Sequence, residues 1–203
     1  MCSLYSYIMK NISIESNDLV DPSRFIRGYK VMVQLDNGET NRYDVVTRHP
    51  AENLEDLNRD EGDAVSIIAR SADGERMLII KEYRPPVNGY VWAFPAGLID
   101  ADDSSFEQAA ARELKEETGY DVVRVDDVLR ATYTSPGMTN ETVAFVYMTV
   151  DDAQTDVHQH LEDSEDITVR WVDRAQARAV LEGADSIDQR MSLVLHEFIR
   201  EKK

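Results

Sequence analysis

The chain has 203 residues, of which 42% are hydrophobic and 30% are charged, and its formal net charge is −17 at pH 7. This composition is typical of a globular protein with an apolar core, and no apolar run approaches the ~18 residues that a membrane helix needs. Because so negative a chain repels phosphate backbones, no nucleic-acid partner and no membrane partner is expected. The single cysteine, Cys2, excludes an internal disulfide framework and favours a cytoplasmic location.

The first predicted element is a β-hairpin over Tyr29–Arg48. Its two halves alternate between apolar and polar residues, and the turn signal Asp36-Asn37-Gly38 separates them. Residues 1–25 show no clear periodicity, so no element is predicted there. Either Met1 or Met9 is a candidate start of the native chain.

The rest of the chain predicts strands and helices that alternate loosely after an acidic connector at 51–61. Strands are predicted, from apolar or alternating runs, at 64–69, 77–80, 122–134, 142–150 and 167–172. The stretch 84–97 is punctuated by Pro and Gly, and no regular element is predicted within it. Helices are predicted at 105–118, 174–182 and 187–202. The last helix carries an apolar stripe that is expected to be core, formed by Ile187, Met191, Val194, Leu195 and Phe198.

The ends of the helix at 105–118 are marked by its sequence. Ser104 and Ser105 are each followed three residues later by Glu or Gln, which is the pattern of a capping box. Gly119 stands where a helix commonly ends in a left-handed residue. A mixed sheet covered by helices is the expected architecture.

Three glutamates of this helix, Glu113, Glu116 and Glu117, lie at helical spacing, so their carboxylates converge. Like charges at this spacing repel by about 0.2–0.5 kcal/mol per pair. Oxygen ligands around a divalent cation turn that repulsion into binding. Arg112, four residues before Glu116, can pair with it and hold it in place. The glutamates alone equally fit a solvated acidic face, so the surrounding sequence has to decide.

That surrounding sequence resembles the Nudix hydrolase signature, a loop–helix–loop with a glycine, an Arg-Glu pair, a Glu-Glu pair and a closing glycine. Phe94–Tyr120 matches it, with the expected residues at Gly97, Arg112, Glu113, Glu116, Glu117 and Gly119. The resemblance implies an α/β fold. In that fold a Nudix α/β/α sandwich with a mixed sheet occupies 58–203, and a small N-terminal β domain occupies 1–57.

The sequence departs from the family pattern at two places. Asp102, Asp103 and Ser104 occupy a loop that is one residue longer than usual and that commonly carries a glutamate. Ala93 stands before Phe94, where related enzymes often have Glu. The first departure concerns the detail of the loop. The second bears on a metal or substrate contact and therefore on metal number or preference.

The resemblance implies a bound divalent cation, Mg²⁺ with Mn²⁺ as the alternative. The implied metal ligands are Glu113, Glu116 and Glu117 together with the carbonyl oxygen of Ala96. Arg112 and Glu116 are also assigned to the catalytic residues.

The resemblance also implies a general base outside the signature segment Phe94–Tyr120, which we call the box. The acidic segment 161–169 resembles the loop that supplies it, where Glu165 is the first candidate and Glu162 the second. An acidic loop is otherwise a solvated surface feature. The neighbouring His158 and His160 have a spacing that is only a weak metal signal, and both are interpreted as surface residues.

Two more segments, Glu82–Val87 and Ser135–Glu141, resemble the ADP-ribose pyrophosphatase branch. That branch carries an N-terminal hairpin that builds a dimer and contributes to both active sites, so the resemblance implies a homodimer. A nucleobase needs a flat aromatic side chain, and a diphosphate needs a cation. The implied substrate-binding residues are Arg84, Tyr43, Arg48, Leu98, Gly137 and Glu141.

The expected reaction is hydrolysis of the pyrophosphate bond of a nucleoside-diphosphate sugar, with ADP-ribose giving AMP and ribose 5-phosphate. GDP-mannose or another sugar nucleotide is an alternative substrate. Two further hypotheses are a nucleotide-sensing module without catalysis and an enzyme that removes oxidised nucleoside triphosphates. The retained box glutamates disfavour the sensing module, and the Ser135–Glu141 segment with the hairpin disfavours the triphosphate substrate.

Overall fold

The computed structural model describes residues 10–16, 25–58 and 61–201. Cys2 and both candidate start residues lie outside these ranges. The described residues divide into two compact units, the first drawn from Met1–Asp63 with Ala131–Val143 and the second from Ala64–Arg130 with Ala144–Lys203. These units are defined by contacts within the chain and do not test the domain boundary expected between residues 57 and 58. That boundary stays a prediction.

The first unit contains a three-stranded antiparallel sheet, in the order β1 (Lys10–Ser16), β2 (Arg27–Gln34) and β3 (Thr40–Thr47). The predicted hairpin is β2–β3, and Gly38 adopts a φ of 83° in its turn. Strand β1 lies where no element was predicted. It is held by pairing with β2, a long-range partner that the periodicity of residues 1–25 does not reveal.

The inner face of β2 provides the core of the first unit. Tyr29, Val31 and Val33 alternate along the strand and are buried. The Tyr29 hydroxyl accepts a hydrogen bond from the Ala51 backbone amide at 2.8 Å. The connector at 51–61 contains a short 3₁₀ helix, Leu54–Leu57, whose first amides are capped by the side chain of the preceding asparagine.

The second unit is built on a mixed sheet in the order β11-β6-β5-β4-β9-β8, with β10 paired to β5 and β7 paired to β4. Only the β11–β6 pair is parallel among the pairings described. The strands are β4 (Ala64–Ser71), β5 (Arg76–Arg84), β6 (Gly89–Ala93), β7 (Ala96–Leu98), β8 (Val122–Tyr133), β9 (Thr142–Val150), β10 (Ile167–Asp173) and β11 (Ser186–Ile187).

Helices cover both faces of this sheet. Helix α1 (Phe106–Thr118) packs against β4 and β7, whereas α2 (Arg174–Glu182) and α3 (Gln189–Arg200) share a core cluster with Ile68 of β4. Because successive residues of a strand face opposite ways, β4 is buried on both sides, as expected for the central layer of a sandwich. The expected mixed sheet between helices is confirmed.

The end of the chain differs slightly from its prediction. The predicted helix at 187–202 begins later, because the Asp188 side chain caps the amides of Arg190 and Met191 and thereby starts α3 at Gln189. Ile187 instead belongs to β11, which pairs with β6. The predicted apolar stripe of this helix does belong to the core.

Three short strands were missed, namely β6, β7 and β11. The first two lie inside the Pro/Gly-punctuated stretch 84–97, and β7 and β11 have only 3 and 2 residues. Runs this short show no periodicity, so their pairing partners alone define them. No helix within the described part of the chain is long and apolar enough to span a bilayer.

Helix α1 begins and ends as its sequence predicts. Ser105 is the N-cap and accepts a hydrogen bond from the Gln108 amide. The Gln108 side chain in turn accepts from both the amide and the hydroxyl of Ser104. Gly119 ends the helix at a φ of 76°. A Cβ at this glycine would lie 2.6 Å from the backbone nitrogen of His158, so the chain passes directly over it.

We expect Gly119→Ala to destabilise the protein more than Gly74→Ala, by at least about 1 kcal/mol. Both glycines have a φ near +70°, at +76° and +71°, but nothing lies within 4 Å of a Cβ built on Gly74. Both variants therefore carry the cost of a left-handed alanine, about 1–2 kcal/mol, and only Gly119→Ala adds a backbone collision. Urea unfolding of the two variants measures the difference, and equal losses would contradict the collision.

Candidate active site

The loop before α1 is fixed to the central sheet through its backbone. Strand β7 pairs with β4, with Ala96 opposite Ser66 and Leu98 opposite Ala64. The Ile67 amide donates to the Pro95 carbonyl at 2.8 Å. These bonds hold the loop rigidly beside the helix that carries the glutamates.

Gly97 is required by close approach and not by its backbone angles. A Cβ at this position would lie 2.0 Å from the carboxyl carbon of Glu113. The carboxylate of Glu113 therefore occupies the space that any side chain at position 97 would fill. Gly97 thus leaves the space in which the Glu113 carboxylate lies.

Arg112 makes five hydrogen bonds, of which three join the helix to this loop and two go to glutamates of the helix itself. Its Nη1 donates to Glu113 Oε1 at 2.8 Å and to Glu116 Oε2 at 3.0 Å. Its Nη2 donates to the Leu98 carbonyl at 3.0 Å and to Asp103 Oδ2 at 2.8 Å, and its Nε lies 3.4 Å from Asp103 Oδ1. Because a guanidinium has five N–H groups, all of them are engaged within the protein.

Asp103 is a site residue that the sequence pattern did not single out. Its side chain is only 3% exposed, and it receives two bonds from Arg112. The hydrogen bond from Arg112 lowers the pKa of the Asp103 carboxyl, although burial opposes this. The available signal was the departure from the family pattern in the loop at 102–104, which places a carboxylate within reach of the arginine.

Glu117 is the most deeply placed of the three helix glutamates. It is 3% exposed, and its Oε2 accepts a hydrogen bond from the Ala96 amide at 3.0 Å. Burial raises the pKa of Glu117 well above its ordinary value, and the charges of Glu113, Glu82 and Glu165 raise it further. Ala96, predicted to offer its carbonyl oxygen to a metal, here contributes its N–H to a glutamate.

Glu113 and Glu116 both accept a hydrogen bond from Nη1 of Arg112. Burial raises the pKa of Glu113, its bond to Arg112 opposes the rise, and the charges of Glu116 and Glu165 add to it. The side chain of Glu116 is more open to solvent. The three helix carboxylates therefore converge, as their spacing predicts, but at different depths.

Glu82 is a second residue that sequence reasoning missed. It lies on β5, is 7% exposed, and burial raises its pKa while Arg84 opposes the rise. Arg84 Nη2 lies 2.7 Å from Glu82 Oε2, but that buried oxygen accepts no hydrogen bond of normal geometry among the described atoms. The signal was strand alternation, because Glu82 follows Ile80 by two residues and so shares its inward face.

Of the two candidates for a general base, the structure brings Glu165 to this cluster. The charge of Glu165 raises the pKa of Glu82, Glu113 and Glu117, whereas Glu162 is exposed. The two are linked to each other, because the Glu162 amide donates to Glu165 Oε2 at 2.9 Å and the Glu165 amide donates to the Glu162 carbonyl at 3.0 Å.

The acidic cluster has the donor chemistry of a divalent-cation site. Its members are carboxylates, which Mg²⁺ and Mn²⁺ prefer as ligands. The buried Oε2 of Glu82, which is ion-paired with Arg84, is a further carboxylate oxygen of the cluster. Among the residues described, no three acidic, histidine or cysteine side chains already stand in a metal-binding arrangement. The residues therefore fit a cation by their chemistry. Because Arg112 holds two of the carboxylates, cation binding requires side chains to reorient.

The remaining predicted substrate residues fall into two groups. Arg84 and Leu98 belong to the second unit, where Arg84 pairs with Glu82 and the Leu98 carbonyl bonds to Arg112. The others belong to the first unit and are Tyr43, Arg48, Gly137 and Glu141.

Within the first unit these four residues form two pairs. Arg48 Nε donates to Glu141 Oε1 at 2.6 Å, so two predicted substrate ligands bind each other. Tyr43, which is 43% exposed, and Gly137 line one cavity of about 460 Å³. Its other walls are mainly apolar and include Val31, Val33, Val45, Leu57 and Met138.

A family model for the NUDIX domain matches residues 60–193. The chain therefore belongs to the NUDIX family, and the recognition made from Phe94–Tyr120 is confirmed. Members of this family generally use divalent metal ions.

Named relatives place the chain near one branch of the family. It is 33% identical over 145 residues to the ADP-sugar pyrophosphatase of Mus musculus, a match that covers 69% of this chain and 63% of that protein. It is 26% identical over 163 residues to the ADP-ribose pyrophosphatase of Bacillus subtilis, covering 80% and 79%. The chain spans between 52% and 63% of the length of the first three curated relatives it matches.

A solved structure shares the fold. The crystal structure of ADP compounds hydrolase matches 95% of this chain and 92% of its own, with a TM-score of 0.68 and 21% sequence identity. The predicted Nudix fold with its small N-terminal β-sheet is confirmed.

The raised pKa of Glu117 predicts how stability depends on pH in metal-free protein. A carboxyl whose pKa is raised by folding stabilises the fold below its ordinary value of 4.5, and this contribution is lost as pH rises through the raised pKa. Glu117→Gln keeps an acceptor for the Ala96 amide and removes the ionisation. In EDTA, we therefore expect wild-type protein to lose stability relative to Glu117→Gln as the pH rises above 4.5.

Urea unfolding across this pH range measures the difference. Glu162→Gln is the control, because it also removes one negative charge, but at an exposed position. Parallel stability curves for wild type and Glu117→Gln would show that Glu117 ionises without penalty in the folded chain.

Proposed function

We propose that this chain hydrolyses the pyrophosphate bond of a nucleoside-diphosphate sugar, with ADP-ribose as the first candidate substrate. The observation that carries the proposal is the acidic cluster of Glu82 and Glu117, which are buried, and Glu113 and Glu165, which are part-buried. Burying several carboxylates together is unfavourable unless a cation compensates for them. The ADP-sugar and ADP-ribose pyrophosphatase names of the relatives support this substrate class.

Glu113, Glu116 and Glu117 with the Ala96 carbonyl are the residues proposed to hold Mg²⁺, or Mn²⁺ in its place. When bound, the cation neutralises the diphosphate and polarises its phosphorus–oxygen bonds. Arg112 orients Glu113 and Glu116, and since its five N–H groups are all engaged, it acts by positioning and not by contact with substrate.

Glu165 is proposed to activate the water. It accepts a proton from the water while the water oxygen bonds to one phosphorus of the diphosphate. The bond between that phosphorus and the bridging oxygen breaks, and the bridging oxygen leaves with the second phosphate. One water is consumed, and ADP-ribose gives AMP and ribose 5-phosphate.

The first unit is proposed to bind part of the nucleotide. The exposed ring of Tyr43 beside a largely apolar cavity of about 460 Å³ suits the face of a nucleobase. Gly137 leaves one wall of that cavity without a side chain. Arg48 of the first unit, oriented by Glu141, is proposed as a cation for substrate. In the second unit, the Arg84 guanidinium and the Leu98 backbone are separate proposed substrate contacts.

The biological setting follows as part of the same proposal. We expect a homodimer formed through the N-terminal sheet, which light scattering on the purified chain tests. The net charge of −17 and the single cysteine fit a cytoplasmic enzyme that binds neither nucleic acid nor membrane. Fractionation of cells that express the chain tests its location.

Three competing functions are weighed against this proposal, and the retained cluster bears on one of them. GDP-mannose or another sugar nucleotide requires only a different base or sugar contact. A sensing module without catalysis has no use for a buried acidic cluster, which therefore favours an enzyme. Hydrolysis of an oxidised nucleoside triphosphate is the third competing function.

A substrate panel tests the proposal. We expect the purified chain with Mg²⁺ to convert ADP-ribose to AMP and ribose 5-phosphate, followed by phosphatase-coupled phosphate release and chromatography. EDTA should abolish turnover and Mn²⁺ should restore it. Glu117→Gln should lower turnover at least about 100-fold, since it removes a charge needed to hold the cation.

The same panel separates the competing functions. Preferred cleavage of GDP-mannose or of an oxidised nucleoside triphosphate would move the substrate assignment and leave the chemistry in place. Tight binding of ADP-ribose without any cleavage would indicate a sensing module. Near-normal turnover by Glu117→Gln would remove the proposed mechanism.

The general base has its own test. We expect Glu165→Gln to lower kcat by about 10²–10⁴-fold, because loss of a general base typically has an effect of that size. The matched control is Glu162→Gln, which removes the same charge from the same loop and should stay within about threefold of wild type. The reverse ranking would make Glu162 the base.

A further inference from the structure

A segment of the second unit, residues 154–160, crosses the C-terminal end of α1, and we call it the strap. It passes directly over Gly119, where a Cβ would meet the backbone of His158. The Gln154 side chain donates to the Gly119 carbonyl at 3.3 Å. The His160 amide donates to the Glu116 carbonyl at 2.7 Å. The strap therefore binds the helix through its backbone carbonyls.

These carbonyls belong to the turn that carries the box glutamates. The last four carbonyls of a helix have no partner inside it, so they need caps or water. Here the Gly119 amide donates to the carbonyl of Lys115, and the His160 amide donates to that of Glu116. The Gln159 side chain donates to the carbonyl of Glu117. The backbone of the metal-site helix is thus fixed from outside, next to Glu116 and Glu117.

Gln159 makes a second bond that the rest of the strap does not share. Its Nε2 donates to the Glu117 carbonyl at 2.6 Å and to the Ile167 carbonyl at 3.2 Å. An amide NH₂ has two hydrogens, so both bonds form together. Ile167 is the first residue of β10 and pairs with Glu82. One side chain therefore ties the end of α1 to the start of β10.

The loop that carries Glu165 lies between these two tie points. Its far end is also held, because the Tyr83 amide donates to the Asp166 carbonyl at 3.2 Å and the Tyr90 hydroxyl bonds to the Asp166 carboxylate. Its own backbone is closed by the bonds between Glu162 and Glu165. With Gln159 in place, the loop is a closed span whose ends are fixed to α1 and to the sheet.

We propose that Gln159 is a positioning residue that sets the distance between Glu165 and the carboxylates of α1. The inference rests on the proposed function, because it assigns Gln159 a task only if Glu165 and the α1 glutamates act on one substrate. Gln159 contacts backbone carbonyls and acts through them. A displacement of about 1 Å at a reacting group is enough to lower a rate by ~100-fold.

The test compares variants at two glutamines that both cap the end of α1. Gln159→Met keeps the length of the side chain and removes the donor. Gln159→Lys restores a donor able to bridge two carbonyls. Gln154→Met is the matched control, because Gln154 donates to the Gly119 carbonyl and to the Asp156 carbonyl but not to Ile167. Thermal melting checks that each variant is folded.

We expect Gln159→Met to lower kcat at least about 10-fold with KM changed less than threefold. Gln159→Lys should recover most of that loss, and Gln154→Met should stay near wild type. Equal losses at both glutamines would mean that capping the helix is all that matters, and this would overturn the proposal. A change confined to KM would also overturn it.

A double variant shows whether Gln159 acts through Glu165. If it does, adding Gln159→Met to Glu165→Gln should lower kcat less than twofold further, because a base that is absent cannot be misplaced. Full additivity of the two losses would show that Gln159 acts by another route.

Hydrogen exchange separates this inference from the proposed function. In substrate-free protein, we expect the amides of 161–166 to exchange at least about 10-fold faster in Gln159→Met and unchanged in Gln154→Met. Wild-type exchange rates in Gln159→Met would overturn the inference even in an active enzyme. If the wild-type chain cleaves no nucleotide substrate, the proposed function fails, and this exchange comparison alone decides whether Gln159 holds the loop.

Discussion

The acidic cluster beside helix α1 depends on the guanidinium of Arg112, which donates hydrogen bonds to three carboxylates. Each of the five N–H groups of Arg112 donates a hydrogen bond within the protein. The acceptors are two glutamates of the box, one loop aspartate and one backbone carbonyl. An arginine suits this task because it stays charged and its fork has fixed geometry. Without it, Asp103 and Glu113 would be part-buried anions without the positive charge that now pairs with them.

The backbone of the fold supplies what one arginine cannot. Strand β7 is anchored on the central β4, so the Ala96 amide reaches Glu117 from a rigid position. At the C-terminal end of α1, the left-handed Gly119 ends the helix and lets the strap lie against it. The loop before helix α1 and the strap at its C-terminal end thus both hold the helix that carries the cluster. Preorganisation of this kind is what a site for charged substrates requires.

Local patterns predicted the parts of this fold that local physics determines. The caps at Ser105 and Gly119, the apolar stripe of α3 and the long strands all follow from spacing along the chain. Strands β1, β6, β7 and β11 do not, because they are defined by partners far away in sequence. In the site, convergence of the helix glutamates was predictable from helical spacing. Asp103 and Glu82 were not singled out, since each gains its place only when a loop or a strand meets α1.

The close contact between Gly97 and Glu113 has a consequence for how this loop can vary during evolution. Ala96 and Leu98 serve the cluster through main-chain atoms, the amide of one and the carbonyl of the other, so their side chains are free to drift under ordinary packing constraints. Gly97 has no such latitude, because the space beside its Cα belongs to a neighbour's carboxyl group. Even a single methyl group at this position would displace the Glu113 carboxyl group from the place that it now occupies.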